Sequence, residues 1–235
     1  MNSIPAIMMW SGGKDSSLAL QKVQQSGQYL VQTLVTTVNE KYDRISMHGV
    51  RADLLRAQAA SLGIDLHVML VPENPTMEDY DRLLADTLKH FRQQGIEYVI
   101  LGDIFLEDLR AYRDRQFEAV GMQGVYPLWK GDTSELMQSF IDQGFRGYTS
   151  CVSAKKLGEL FVGRELDAEF VHDLPEGVDP CGENGEFHSF VFDGPIYSKP
   201  IPVSVGEKIL RTYQPQDDSQ VEAGFWYADL IIPQE

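Results

Sequence analysis

The sequence predicts an α/β fold: a doubly wound, mostly parallel sheet with helices on both faces, followed by a smaller C-terminal loop-and-hairpin region. Three observations carry this expectation. Short apolar strands alternate with helical stretches of ten or more residues over about the first 150 positions. Parallel strands need such long crossovers, and helices then cover both faces of the sheet. The composition also shifts near Pro175, after which Gly, Pro, acids and aromatic strands replace the alternating pattern.

The elements follow in order. Ile4 to Trp10 is short, apolar and bounded by a glycine-rich turn, as a buried strand is. Lys14 to Gln25 has helical apolar spacing at Leu18, Leu20 and Val23, with Gly27 at the expected stop. Tyr29 to Val38 is rich in β-branched residues and reads as a second strand. Gly49 to Leu62 reads as a helix ending at Gly63, and Leu66 to Val71 as a strand stopped by Pro72. Met77 to Gln94 is a long helix before Gly95, and Tyr98 to Leu101 a fourth strand leading into Gly102-Asp103. Phe105 to Val120 is helical, and a short strand opens at Val125 and closes at Pro127. Thr133 to Gln143 is a helix, Tyr148 to Val152 a strand, and Phe225 to Ile232 a final strand. The boundary between an N-terminal α/β domain, 1–152, and a C-terminal region, 153–235, is drawn on this pattern.

The 235 residues are 43% hydrophobic and suffice for a core without staples. No apolar run reaches the roughly 18–20 residues that cross a bilayer. Met1 to Trp10 has no basic region ahead of its apolar run, the reverse of a secretory signal, so a cytoplasmic protein is expected. Two cysteines, Cys151 and Cys181, with no C-x-x-C pair, argue against a disulfide scaffold or a structural zinc site. A net charge of −15 without a basic run disfavours nucleic acid as a partner. A homodimer is the default assembly.

The strongest motif is strand, then Ser11-Gly12-Gly13-Lys14-Asp15-Ser16-Ser17, then helix. A helix N-terminus offers unpaired N–H groups and the positive end of its dipole. Two glycines let the backbone approach an anion closely. Serine hydroxyls add donors and Lys14 adds a point charge, so the segment is a phosphate cradle. The spacing is not that of the γ-phosphate-transferring P-loop.

Ser-Gly-Gly-Lys-Asp-Ser after a first strand resembles the signature of the N-type ATP pyrophosphatases. More narrowly, the chain resembles the diphthine–ammonia ligase family. Gly102-Asp103-Ile104, Pro127-Leu128-Trp129 and Cys181-Gly182-Glu183-Asn184-Gly185-Glu186-Phe187 match that pattern as well, so the resemblance runs from about residue 6 to residue 197. The pattern would have Gly at Asn184 and a carboxylate at His188. The resemblance implies an adenine-nucleotide α-hydrolase-like sheet with the first and fourth strands adjacent. It also implies cleavage of ATP to AMP and pyrophosphate, with a substrate oxygen activated as its adenylate.

On that footing Ser11, Gly12, Gly13, Lys14, Asp15, Ser16, Gly102 and Asp103 are the expected ATP-binding residues. Asp103 has two readings: a ligand for Mg²⁺, which takes one or two carboxylates plus phosphate oxygens, or a helix N-cap. Asp179 to His188 gathers Asp179, Glu183, Glu186 and His188 among turn-forming glycines. Glu183, Glu186 and His188, with Lys14, are the catalytic candidates, positioned to bind or deprotonate ammonia, against the alternative of an acidic surface turn. His48 and Arg51 open the helix after the second strand and are candidates for contact with substrate or α-phosphate, against a solvated helix start. Arg115 and Glu118 are read as a pair. The expected activity is an AMP-forming amidoligase that uses ATP, Mg²⁺, ammonia and a carboxylate acceptor, either protein-borne diphthine or a small metabolite. Its rivals are a tRNA-modifying member of the same superfamily and a nucleotide sensor without catalysis.

Overall fold

The computed structural model describes residues 3–45, 49–213 and 223–233. Strand β1 (Ile4–Met9) leads into helix α1 (Lys14–Ser26), and β2 (Tyr29–Asn39) into α2 (Ala52–Leu62). Then come β3 (Asp65–Val71), α3 (Met77–Gln93), β4 (Tyr98–Ile100), α4 (Glu107–Glu118) and β5 (Gln123–Val125). The C-terminal part holds α5 (Thr133–Asp142), β6 (Arg146–Ser153), a 3-10 turn (Glu159–Phe161), α6 (Ala168–His172), β7 (Phe187–Asp193), β8 (Ser204–Tyr213) and β9 (Ala223–Ile231).

The first five strands form a sheet in the order β3-β2-β1-β4-β5, and every neighbouring pair is parallel. The expected adjacency of the first and fourth strands is seen directly, with Ala6 opposite Tyr98 and Met8 opposite Ile100. Alternate side chains of a strand point to opposite faces, and the core divides accordingly. Ile7, Val35, Met69 and Val99 pack with Leu84, Leu88 and Phe91 of α3 and Phe117 of α4. Ala6, Met8, Leu34 and Ile100 face the other way, against Leu18 and Val23 of α1 and Leu54, Leu55 and Ala59 of α2. That second core runs on without a break into Phe187, Phe190 and Val191 of β7 and Val152 of β6. One apolar cluster therefore joins both sheets, and it includes Trp10 and Leu18, which flank the loop from Ser11 to Gly13 in sequence.

The strand read at Tyr148 to Val152 exists as β6, but it does not belong to the parallel sheet. It pairs antiparallel with β7 and β9 in a second, four-stranded sheet of order β7-β6-β9-β8. Its partners lie some 40 to 80 residues further on, where single-chain periodicity carries no information. Strand β8 was not expected from its sequence. It is an edge strand, bonded to β9 alone, and the edge position tolerates its charged residues. No helix among the described residues is long and apolar enough to cross a membrane.

Candidate active site

The loop after β1 and the loop after β4 share one edge of the sheet because the two strands are parallel neighbours. This is the edge where open α/β sheets bind ligands. Gly12 adopts φ 76°, a left-handed conformation, and a Cβ there would lie 2.6 Å from Gln58 Oε1. Gly13 is the N-cap of α1, and no side chain caps the helix from that position. The Lys14 amide is taken by Ser189 Oγ at 3.1 Å, and the Gly13 amide by Ser11 Oγ at 3.3 Å. The next first-turn amides, of Asp15 and Ser16, have no acceptor within a helix by construction. Ser16 Oγ donates to Gly13 O at 3.0 Å and lies 3.1 Å from Ser11 Oγ, so the hydroxyls line the same turn.

The loop is braced from both sheets. Gln58, fully buried, donates through Nε2 to Gly12 O (2.9 Å) and Val191 O (2.6 Å) and accepts from Trp10 Nε1 (2.9 Å). The Val191 amide on β7 donates to the same Gly12 carbonyl at 2.9 Å. Tyr197 stands beside Ser17 (3.4 Å) and Gln58 (3.3 Å). Gln58 and Tyr197 escape sequence reasoning because a buried Gln or Tyr has no local signature. The bracing is a preorganised backbone, which costs no rearrangement when an anion arrives.

Lys14 is 2% exposed, and its ammonium does not point freely into solvent. Nζ donates to Asp15 Oδ1 (2.7 Å) and Oδ2 (2.9 Å) and lies 5.7 Å from the centroid of the Phe187 ring. Burial pulls its pKa down, but Asp15, Cys181 and Glu183 more than offset that, so the net shift is upward and the cation is kept. The loop lysine and the C-terminal acidic turn, distant in sequence, thus form one electrostatic unit.

Within that turn the four candidates separate. Asp179 organises it: Oδ1 accepts from the amides of Cys181 (2.8 Å) and Glu183 (3.3 Å), and Oδ2 from Thr133 Oγ1 (2.7 Å). Glu186 is 0% exposed and accepts from Lys156 Nζ (2.9 Å) and the Asn184 amide (2.8 Å). Burial raises its pKa, but these hydrogen bonds outweigh burial and hold it below the usual value. Its lone pairs are therefore committed to holding the turn, and the side chain is not presented to a substrate. Glu183 differs. Burial pushes its carboxyl up, Asp15 adds to that, Lys14 opposes it and Asp179 and Asp103 add again, to about 7. His188 is held below the ordinary histidine value by burial and by Lys14, so its imidazole is neutral at pH 7. The glycines serve as expected: Gly182 and Gly185 both have φ 75°. Cys181 donates its thiol to Thr133 O (3.2 Å), and burial lifts it to about 12, as it does Cys151.

Gly102 is required where it stands. A Cβ there would lie 2.8 Å from the backbone carbon of Asp15 and 2.9 Å from the Ser16 amide nitrogen. The loop after β4 thus lies directly on the first turn of α1. Asp103 is not a cap, since the N-cap of α4 is Leu106 and no side chain caps it. Its Oδ2 is 3.2 Å from Arg113 Nε, but the angle leaves both buried atoms without a hydrogen bond. Burial raises the Asp103 carboxyl, Arg113 lowers it, and Asp15 and Asp114 raise it further, for a net rise. Asp103 Oδ2 has no hydrogen bond and sits in the loop that lies on the first turn of α1, so it could share a cation with phosphates only in competition with Arg113. Among the described residues, no group of three His, Cys, Asp or Glu side chains forms a metal site by itself. Arg113 was not read as the partner of Asp103.

His48 lies outside the described residues. Arg51 donates from Nε and Nη2 to Asp229 Oδ1 (2.9 Å) and Oδ2 (2.7 Å) on β9, and Arg44 Nη2 reaches Oδ1 at 2.8 Å. The helix start is therefore tied to the second sheet. The Arg51 and Arg44 hydrogen bonds outweigh burial and hold the Asp229 carboxyl at about 2. Asp229→Asn is expected to cost about 1–2 kcal/mol in urea unfolding at pH 7, because the side chains are partly exposed. The folded-state pKa is depressed from 3.8. This stability is therefore present above about pH 4 and lost as pH falls towards 2, where variant and parent should converge. Equal midpoints at pH 7 would remove the clamp. A cavity of about 500 Å³ near the start of β5, lined by Asp114, Glu118, Gly121, Met122, Gln123 and Gly124, contains none of the candidate residues.

The comparisons with known proteins agree with this layout. The diphthamide synthase N-terminal domain matches residues 4–124, and the diphthamide synthase C-terminal domain matches residues 132–215. A protein of Danio rerio named diphthine–ammonia ligase is 24% identical over 238 residues, covering 92% of this chain and 91% of that one. The Homo sapiens protein of the same name is 21% identical over 226 residues, 86% of this chain and 84% of its own. One from Schizosaccharomyces pombe is 25% identical over 141 residues, 58% of this chain and 23% of that longer protein. The first match ends at β5 and the second begins at α5, so the pair spans the loop after β1 and the acidic turn alike. The chain belongs to the diphthamide synthase family.

Proposed function

We propose that this chain is a cytoplasmic, ATP-dependent, AMP-forming amidoligase. Residues 1–152 would hold ATP and residues 153–235 the acceptor side. The names of its relatives suggest ammonia as the nitrogen donor and a diphthine-type carboxylate as the acceptor. The observation that carries the reading is the approach of Lys14 to the strand that follows the acidic turn: its amide donates to Ser189 Oγ at 3.1 Å and its ammonium lies 5.7 Å from the Phe187 ring. It supports a reading in which a phosphate-binding helix start and the Glu183 carboxyl, pushed up to about 7, act together.

The ATP phosphates lie on Ser11 to Ser16, against the first-turn amides of α1. A carboxylate oxygen of the acceptor attacks the α-phosphorus, the α–β bridging bond breaks, and pyrophosphate leaves. Lys14 and the loop amides stabilise charge gathering on the leaving group. Ammonia then attacks the acyl carbon, the acyl–oxygen bond breaks, and AMP departs with that oxygen. Glu183, near neutrality, takes the proton released by nitrogen. His188 sits opposite Cys151 on β7, neutral and within the field of Lys14, and helps position the nucleophile. Asp103 would hold Mg²⁺, which neutralises phosphate charge when bound.

The chain is expected to convert ATP, ammonium and the acceptor carboxylate into AMP and pyrophosphate, read by nucleotide chromatography. Release of ADP and phosphate would overturn the reading. Both thiols are protonated at neutral pH, which disfavours sulfur transfer to tRNA.

A further inference from the structure

Glu186 is fully buried, and its ion-pair partner, Lys156, comes from another part of the chain. Lys156 lies in the turn that follows β6. That turn is firmly seated. The Leu157 amide donates to Ser153 O at 2.8 Å, the Lys156 amide to the same oxygen at 3.2 Å, and Leu157 is part of the main core. From this base Lys156 Nζ reaches the acidic turn, donating to Glu186 Oε1 at 2.9 Å and to Asn184 O at 3.3 Å. Glu186 in its turn takes the Asn184 amide on Oε2 at 2.8 Å and the Asp179 amide on Oε1 at 3.5 Å.

Glu183 sits between these anchors and depends on them. Gly182 and Gly185 enclose Glu183-Asn184, and both are left-handed at φ 75°. Glycine reaches that conformation freely but has no side chain to hold it there. The place of Glu183 is therefore fixed by what grips the ends of the turn. Thr133 Oγ1 fastens one end through Asp179, whose Oδ1 receives the Glu183 amide. Lys156 fastens the other end through Glu186. The two fasteners differ in kind, since the first is a neutral hydroxyl and the second a charge. A carboxylate held out of water is strongly destabilised once its ion partner is removed. Without Lys156, Glu186 either takes a proton, becoming a poorer acceptor, or draws water into the turn. Both outcomes release the Asn184 amide, and with it the peptide bond that joins Asn184 to Glu183.

We propose that Lys156 is a positioning residue for the amide-forming step, acting through Glu186 to hold the backbone that carries Glu183. This rests on the reading of Glu183 as the base that takes the proton released by nitrogen. Lys156 touches no reacting atom. Its loss spares adenylation, because the loop from Ser11 to Ser16 is braced separately by Gln58 and by β7. Only the transfer to ammonia is degraded.

The test compares two nucleophiles in the full chain. Hydroxylamine is unprotonated at neutral pH and attacks an acyl-adenylate without help from a base, so hydroxamate reports adenylation whether or not Glu183 is in place. Lys156→Met is expected to form amide from ammonia about 10–100-fold more slowly, the cost of a reacting group displaced by about an ångström. Hydroxamate formation by the same preparation is expected to stay within about twofold of the parent. Lys156→Arg, which keeps the cation and its N–H donors, is expected to recover the ammonia rate. If Lys156→Met does not fold, Lys156→Gln, which keeps a neutral donor, goes through the same comparison. A second readout needs no turnover: the Glu183 and Asn184 amides are expected to exchange hydrogen at least about tenfold faster in Lys156→Met, with Ala6 and Ile7 of β1 unchanged. Unchanged exchange at Asn184 would overturn the proposal outright. Where Glu183→Gln is impaired, an unchanged ammonia rate in Lys156→Met, equal loss with both nucleophiles or no recovery in Lys156→Arg overturns it too and leaves the base standing. Normal amide formation by Glu183→Gln strikes the base instead, and the exchange rates alone then decide whether Lys156 holds the turn.

Discussion

Lys14→Met is expected to lower AMP and pyrophosphate formation by about 10²–10³-fold, the range seen when one preorganised stabiliser of developing charge is removed. The substitution keeps the length and apolar stem of the side chain and removes only the charge. The ammonium is buried, so the consequence for the fold must be argued too. Removing one member of a buried pair often costs about 3–5 kcal/mol, because the partner is left charged and unpaired. Here both partners have an escape. The Asp15 side chain is 29% exposed and can take up water. Glu183 already sits near neutrality, and loss of the opposing Lys14 charge raises it further, so it takes a proton and buries no charge. The variant should therefore stay folded, with unfolding by urea brought forward by less than that range, while turnover collapses. Nucleotide chromatography and a urea melt on the same preparation check both halves. Wild-type AMP formation in a folded Lys14→Met chain would remove the loop from the chemistry.

The strand-to-helix turn at Ser11 to Ser17 was legible because all of its parts lie within seven residues, and each has a local physical meaning. The order β1 to β5 was legible for a related reason: apolar strands and helical crossovers repeat with periods that a single chain displays. The failures have one cause, which is pairing at long range. β6 has the apolar run of a buried strand, but nothing in that run says which sheet takes it. β8 has charged residues and weak alternation, and only its edge position beside β9 makes it a strand. At the site, Glu183 and Glu186 look alike in sequence, three residues apart in a glycine-rich turn. Lys156, in a stretch that shows no periodic pattern, distinguishes them by claiming Glu186. Arg51 reads as a substrate contact or a solvated helix start, and nothing local shows that Asp229, 178 residues away, is its partner. Asp103 reads equally as a cap or a ligand, and its identity as neither cap nor hydrogen-bonded acceptor emerges only with α4 in place.

Glu183→Gln is expected to leave adenylation working and to lower ammonia-dependent amide formation by about 10²–10⁴-fold, the span for loss of a positioned base. Pyrophosphate exchange into ATP, with acceptor and without ammonium, should survive. The wild-type rate per free ammonia should rise through about pH 7 as Glu183 loses its proton and then level, and the variant should show no such rise. Expressing rates per free ammonia removes the titration of ammonium itself. The same group affects stability in the opposite sense from most carboxylates. Its folded-state pKa is raised from 4.5 to about 7, so the folded chain binds more protons than the unfolded chain between those values. Stability is then lost as pH rises from about 4.5 to 7. At about 1.4 kcal/mol per pH unit the upper bound is about 3.5 kcal/mol, and solvent screening of this partly exposed carboxyl reduces it to about 1–2. Glu183→Gln removes this penalty, so it should unfold at higher urea than the parent at pH 8 and match it at pH 4. A residue that only holds the turn together would do the reverse, weakening the fold at every pH. A variant that is more stable at pH 8 yet fails in amide formation would mark Glu183 as a base kept in an unfavourable site for its chemistry. One that is destabilised, or that retains a normal pH profile, would return that role to His188.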